Sequence, residues 1–255
     1  MSAPIDATTP TLAAVALYAA LTGAGMLAGV WLMRRYESWA LRHTGELIAF
    51  AAGLLVAGGL LHFIDRAAQL AGATPALGWA LAAFLVLYVA EAHVVPHTHE
   101  RTAGEPGQGW HPGLGPMVIG GLGLHSVVDG VSVGAGFAAG PVVGWVALAL
   151  VVAHKLPVGI AAMSALYASG VGGRRAAAIT GVLAMITPAA VVTSFLFVPR
   201  LSESALGALL ALTGGAFLYV GAADLLPEGQ ARGRLANTAL FLVGVLAMIG
   251  VKWME

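Results

Sequence analysis

Apolar residues fill this chain in eight long blocks, and the stretches between the blocks carry its arginines, glycines and prolines. The blocks lie at about 11–33, 45–64, 70–92, 114–138, 142–168, 176–198, 205–226 and 235–253. Each is near the ~20 residues that a helix needs to cross a hydrocarbon core. The pattern predicts an all-α polytopic membrane protein, with residues 1–255 forming one domain of eight transmembrane helices. The opening Met-Ser-Ala-Pro-Ile-Asp lacks the basic region of a signal peptide, so the first block is expected to be retained as a helix.

Composition sharpens that picture. With 59% hydrophobic residues, 9% charged residues and a mean hydropathy of +0.88, the chain is too apolar for a soluble domain of its length. Its formal net charge is zero and no basic run exceeds a pair, which leaves no electrostatic footprint for nucleic acid. Cysteine is absent, so a metal site would have to be built from nitrogen and oxygen donors.

Eight spans place both termini on one side, and the basic residues choose which. The loops after spans one, three, five and seven hold Arg34, Arg35, Arg42, Arg101, Arg174, Arg175, Arg232 and Arg234. The opposite side holds Arg66, Arg200 and Lys252. That bias predicts extracytoplasmic termini and a cytosolic loop at 93–113, in the cell (inner) membrane.

Candidate chemistry sits where it is most expensive. The fourth block contains His125-Ser-Val-Val-Asp129-Gly and the fifth His154-Lys-Leu-Pro157-Val-Gly. Ionisable groups within a membrane span mark functional sites by default. His125 and Asp129, four residues apart, stack on one helix face and can reach one cation. His154 can add a third donor if spans four and five cross there, while Pro157 leaves the carbonyl of Ala153 without its helical partner. Two imidazoles and a carboxylate suit zinc and, less selectively, Fe, Mn, Co or Ni. The bland alternative is a hydrogen-bonded packing pair. The many glycines of span four, from Gly113 to Gly140, would let neighbouring backbones approach closely and put the helix inside the bundle.

Together these motifs resemble the signature of the ZIP (Zrt-, Irt-like protein) metal transporters, whose usual forms read His-Asn-x-x-Glu/Asp-Gly and His-Glu-x-Pro-x-Gly. Eight spans, outward termini and a histidine-bearing loop after span three are similar too. The resemblance implies a transporter rather than an enzyme. Its cargo would be a divalent metal, chiefly zinc, moved toward the cytosol by alternating access through His125, Asp129 and His154, and the protein would be a homodimer. Ser126, Lys155 and Val158 depart from the usual pattern, and His-Lys-x-Pro resembles a smaller branch of the family. Lys155 then fills the place of a second metal with an ammonium, which implies one ion per site, with Ser126 a weak neighbour. A different reading of the same ligands is an intramembrane zinc hydrolase, for which Ser126 and Lys155 would have to supply the acid, base or oxyanion donor.

Further polar positions are secondary candidates for the route. His62 in span two and Asp224 with Glu228 in span seven could line it or could serve structural hydrogen bonds. Glu91 and His93 close span three, and His97 and His99 follow in the loop, where they could receive released metal or be merely solvated. Gly53, Gly59 and His62 recur in the spacing of Gly215, Gly221 and Asp224. That recurrence suits two related three-helix units flanking spans four and five, as in transporters built from inverted repeats; the alternative is that Gly/Ala-rich helices match one another by chance.

Overall fold

A computed structural model describes residues 10–94, 114–230 and 235–254. Among them eight helices are long and apolar enough to cross a membrane: Leu12–Arg35, Glu37–Ala71, Ala73–Glu91, Gly120–Ala139, Pro141–Ala168, Gly173–Arg200, Glu203–Gln230 and Leu235–Trp253. The all-α prediction holds. Span two is longer than the apolar block at 45–64, because polar first turns around Arg42 and Thr44 stay helical beyond the hydrocarbon. Their side chains bond back to the carbonyls of Ser38 and Ala40, which occupies groups that would otherwise seek water.

Local chemistry sets the helix ends. Thr11 and Ser202 cap spans one and seven, their hydroxyls accepting from the backbone N–H of Ala14 and Ala205 at 3.2 and 3.3 Å, which satisfies donors that the first turn leaves open. Gly140, with φ at 146°, turns the chain from span four into span five, and Pro141 follows in the first turn. Glycine adopts that backbone without a Cβ clash, and the missing N–H of the proline costs nothing at a helix start.

Spans two and seven share an irregularity: each contains a π-helical segment, Gly59–Ile64 in one and Val220–Leu225 in the other. They contain Gly59 with His62 and Gly221 with Asp224, part of the recurrence visible in the sequence. The packing has the same symmetry. Span one lies against five and six, four against five and six, two against seven and eight, and three against seven. Exchanging one with six, two with seven, three with eight and four with five maps this set of neighbours onto itself. Gly53 faces the carbonyl of Phe241 in span eight, and Gly215 faces that of Ala80 in span three, each without room for a side chain.

Two four-helix units result. Spans one, four, five and six contribute one aromatic ring each to a cluster, in which Tyr18 stacks on Phe137 at 4.4 Å between centroids and Trp145 and Phe195 close the edges. Offset and edge-on contacts of this kind are the favoured ring geometries. Spans two and seven are pinned by Phe63 edge-on to Phe217 at 5.2 Å. Exposed Trp31, Trp39 and Tyr88 ring one end of the bundle, and exposed Trp79, Trp145 and Trp253 ring the other. Such paired aromatic belts mark the two membrane interfaces.

Candidate metal centre

Span four approaches its neighbours through glycine. A side chain at Gly130 would collide with Ala190 and with the Thr187 carbonyl of span six, and one at Gly136 would meet Ala147 and the Val143 carbonyl of span five. Gly120 and Gly121 have open space around them, so close packing explains only the second half of the glycine run. That half seats Asp129 on the seam with span five.

Five polar side chains converge there. Asp129, His154, Lys155 and Ser126 are buried, and His125 forms the accessible edge with 20% of its side chain exposed. One carboxylate oxygen, Asp129 Oδ2, lies 3.2 Å from His125 Nε2, 3.2 Å from His154 Nε2 and 2.8 Å from Lys155 Nζ. Lys155 Nζ also donates to Ser126 Oγ at 2.9 Å. The other carboxylate oxygen, Oδ1, is buried without a hydrogen-bond partner.

The hydrogen bonds of His154 decide its orientation. Its Nδ1 lies 2.8 Å from the Leu150 carbonyl one turn earlier. Since a carbonyl can only accept, Nδ1 carries the proton. In a neutral ring Nε2 is then a lone pair aimed at Asp129 Oδ2. Two acceptors face each other in a buried site, an arrangement relieved by a proton or a metal ion between them. Zinc with donors at ~2.0–2.2 Å in tetrahedral geometry separates them by roughly 3.4 Å. The two 3.2 Å spacings are close to that requirement, and donor atoms of His125, Asp129 and His154 all lie within 4.8 Å of one another.

Residues 89–252 match the family described as "ZIP Zinc transporter". The chain belongs to the ZIP family. The match includes both histidine motifs and spans four to eight. Zinc transporter zipt-7.1 of Caenorhabditis briggsae is 28% identical over 141 residues, covering 51% of this chain and 36% of that protein. Zinc transporter ZIP6 of Homo sapiens is 30% identical over 141 residues, 52% of this chain and 18% of its own length. Zinc transporter foi of Drosophila melanogaster is 29% identical over 139 residues, 53% of this chain and 19% of its own. The chain thus spans about a third or less of these relatives' length.

Among the described residues this trio is the one group of three or more His, Cys, Asp or Glu donors close enough to share an ion. Ser126 accepts a hydrogen bond from Lys155. His62 is buried in the π segment of span two with Nε2 3.2 Å from the Met248 carbonyl. It also floors a cleft at the far end of the bundle, with Asp65, Arg66 and Lys252 at the rim. Glu91 accepts a short hydrogen bond from Tyr219, which ties span three to span seven. Asp224 is half-buried in the π segment of span seven, and Glu228 is exposed near that helix's end. The His93 side chain, His97 and His99 lie outside the described residues. Sequence reasoning passes over Leu150, whose carbonyl orients His154; the signal is its position four residues before the histidine.

Proposed function

We propose that this ZIP-family chain carries a divalent metal ion, zinc foremost, toward the cytosol by alternating access, with His125, Asp129 and His154 as its ligands. The observation that carries the reading is the facing pair His154 Nε2 and Asp129 Oδ2, with Oδ1 bare beside it. Buried acceptors aimed at one point cost free energy unless a cation collects them. The site supplies that cation with one negative charge and two directional nitrogens. Other divalent transition metals that accept the same donors, among them Fe, Mn, Co and Ni, would compete in the same place.

Sidedness follows from the basic residues: the termini extracytoplasmic, the loop at 93–113 cytosolic. His125, the exposed edge of the site, lies on the half of span four that begins from that loop, while the aromatic cluster of Tyr18, Phe137, Trp145 and Phe195 packs the opposite half. The hydrolase reading of the same ligands is set aside by membership of a family described as zinc transporters. In addition, Ser126 and Lys155, the groups it would need for acid, base or oxyanion work, are engaged with each other and with Asp129.

The deciding experiment is uptake of zinc into sealed liposomes containing the purified protein. Accumulation that is saturable, and that is lost in Asp129→Ala, supports the reading. Zinc that stays bound to the protein at one equivalent with no accumulation inside the vesicles would remove it.

A further inference from the structure

Lys155 is a fully buried ammonium beside a buried carboxylate, and the donor set for zinc does not use it. We propose that Lys155 is a tethered cation that competes with the transported metal for Asp129, resting on Asp129 when the site is empty and on Ser126 when it is loaded. This rests on the assignment of His125, Asp129 and His154 as ligands.

Three observations carry it. First, Lys155 Nζ and the two histidine nitrogens share one atom, Asp129 Oδ2, so an ion held by the trio must bind the oxygen that the ammonium already holds at 2.8 Å. A dication at bonding distance from that oxygen would stand within a few ångströms of the ammonium, close enough for strong repulsion in a bundle with little water. Second, an alternative acceptor is already in contact. Ser126 Oγ, one turn before Asp129 on the same helix, accepts from Nζ at 2.9 Å, so the ammonium can give up the carboxylate by a small pivot and keep a hydrogen bond. Third, span one meets the base of Lys155 with a glycine, so the lysine stem is closely seated there. Gly25 packs there, and a Cβ added to it would lie 3.2 Å from Lys155 Cβ.

The arrangement has two consequences for transport. An empty site with Asp129 and Lys155 paired is neutral as a pair, so the unloaded protein can reorient without carrying a bare carboxylate through the bundle. In the loaded site the displaced ammonium opposes the metal, which shortens its stay. Lys155 therefore trades affinity for release, and it acts as a positioning residue for the carboxylate rather than as a ligand.

The test compares zinc affinity and transport for the full chain and its variants Lys155→Met, Lys155→Gln and Ser126→Ala. Affinity is read by calorimetry on folded, monodisperse protein, and transport by liposome uptake. Lys155→Met and Lys155→Gln are expected to bind zinc at least ~10-fold more tightly, with a lower maximal rate and a lower KM. Ser126→Ala, which removes no charge and leaves the ammonium on Asp129, is expected to weaken zinc binding several-fold; it keeps the test decisive where the lysine variants do not fold. Unchanged or weaker zinc binding in the folded lysine variants, or unchanged binding in Ser126→Ala, overturns the proposal. His154→Ala separates this from the ligand assignment: loss of binding there with no effect at Lys155 overturns only the lysine's role, and retained binding there overturns the site itself.

Discussion

His154 and Asp129 face each other at 3.2 Å, imidazole Nε2 against carboxylate Oδ2, and neither side chain has exposed surface. The Leu150 carbonyl fixes the proton of that ring on Nδ1, so the contact becomes fully favourable only when something positive lies between the two atoms. Asp129 Oδ1, bare and buried, extends the same demand. A packing pair would satisfy its polar atoms internally, as Glu91 and Tyr219 do elsewhere in the bundle.

His125→Ala, Asp129→Ala and His154→Ala should each lower zinc uptake by about 100-fold or more, since even partners of metal ligands are worth ~10–100-fold in affinity. His62→Ala should cost much less, because His62 bonds the Met248 carbonyl and lies apart from the trio. Circular dichroism and size-exclusion profiles would confirm folding. Near-normal uptake by folded Asp129→Ala would end the assignment.

Acid should suppress transport. Zinc binds only unprotonated imidazole nitrogens, so acid competes with it for a histidine-ligated site. The sign follows directly: uptake falls as pH drops, and zinc binding releases protons. Calorimetry in buffers of different ionisation enthalpy measures that release, and binding that strengthens in acid would contradict a histidine-ligated site.

The cysteine-free sequence makes topology directly testable. Thr8→Cys and Glu255→Cys should react with an impermeant thiol reagent applied outside intact cells, and Thr102→Cys should react only after permeabilisation. Reaction of Thr102→Cys alone would invert the orientation and with it the proposed direction of transport.

How far the sequence reaches depends on whether a relationship is local. The spacing of His125 and Asp129 is a property of one helix, so their shared face is legible in the order of residues alone. Apolar block length does the same for the eight spans. The meeting of His154 with that pair is not local: it depends on span four coming close to span five, for which Gly136 is a necessary cause but not a coordinate. The π segments of spans two and seven are beyond reach for a related reason. A π turn leaves composition unchanged, and only the recurring Gly59/His62 and Gly221/Asp224 spacing hints that two helices bend alike. Span boundaries drift where polar turns continue a helix past the hydrocarbon, as at Glu37–Gly58.

The symmetry of the packing makes paired predictions about glycine. Gly53→Leu and Gly215→Leu each push a side chain into a backbone carbonyl, of Phe241 and Ala80 respectively, and should destabilise the protein by about 1–3 kcal/mol or more. Gly120→Ala and Gly121→Ala meet no neighbour within 4 Å. Both sit in a helix, where alanine is favoured over glycine by roughly 0.5–1 kcal/mol. Thermal unfolding in detergent should therefore show lower transitions for the first two and equal or higher ones for the second two. Equal behaviour of all four would break the proposed helix pairing.

Lys155→Glu should convert the site from one metal to two. In the protein as it stands, the ammonium is 2.8 Å from Asp129 Oδ2, beside the proposed metal position. Reversing its charge places two carboxylates at that seam, and without metal they repel each other in a buried environment. The metal-free variant should therefore unfold at lower temperature than the parent. Zinc then has two reasons to bind: it removes the repulsion, and the added carboxylate offers a bridge to a second ion beside the first. Because ligands that bind only the folded state raise its stability by mass action, saturating zinc should raise the unfolding temperature of Lys155→Glu by more than it raises that of the parent. Elemental analysis of the purified, zinc-equilibrated proteins should find one equivalent in the parent and two in the variant. One equivalent in both, with the same affinity and the same zinc-induced stabilisation, would show that Lys155 does not hold the place of a second metal.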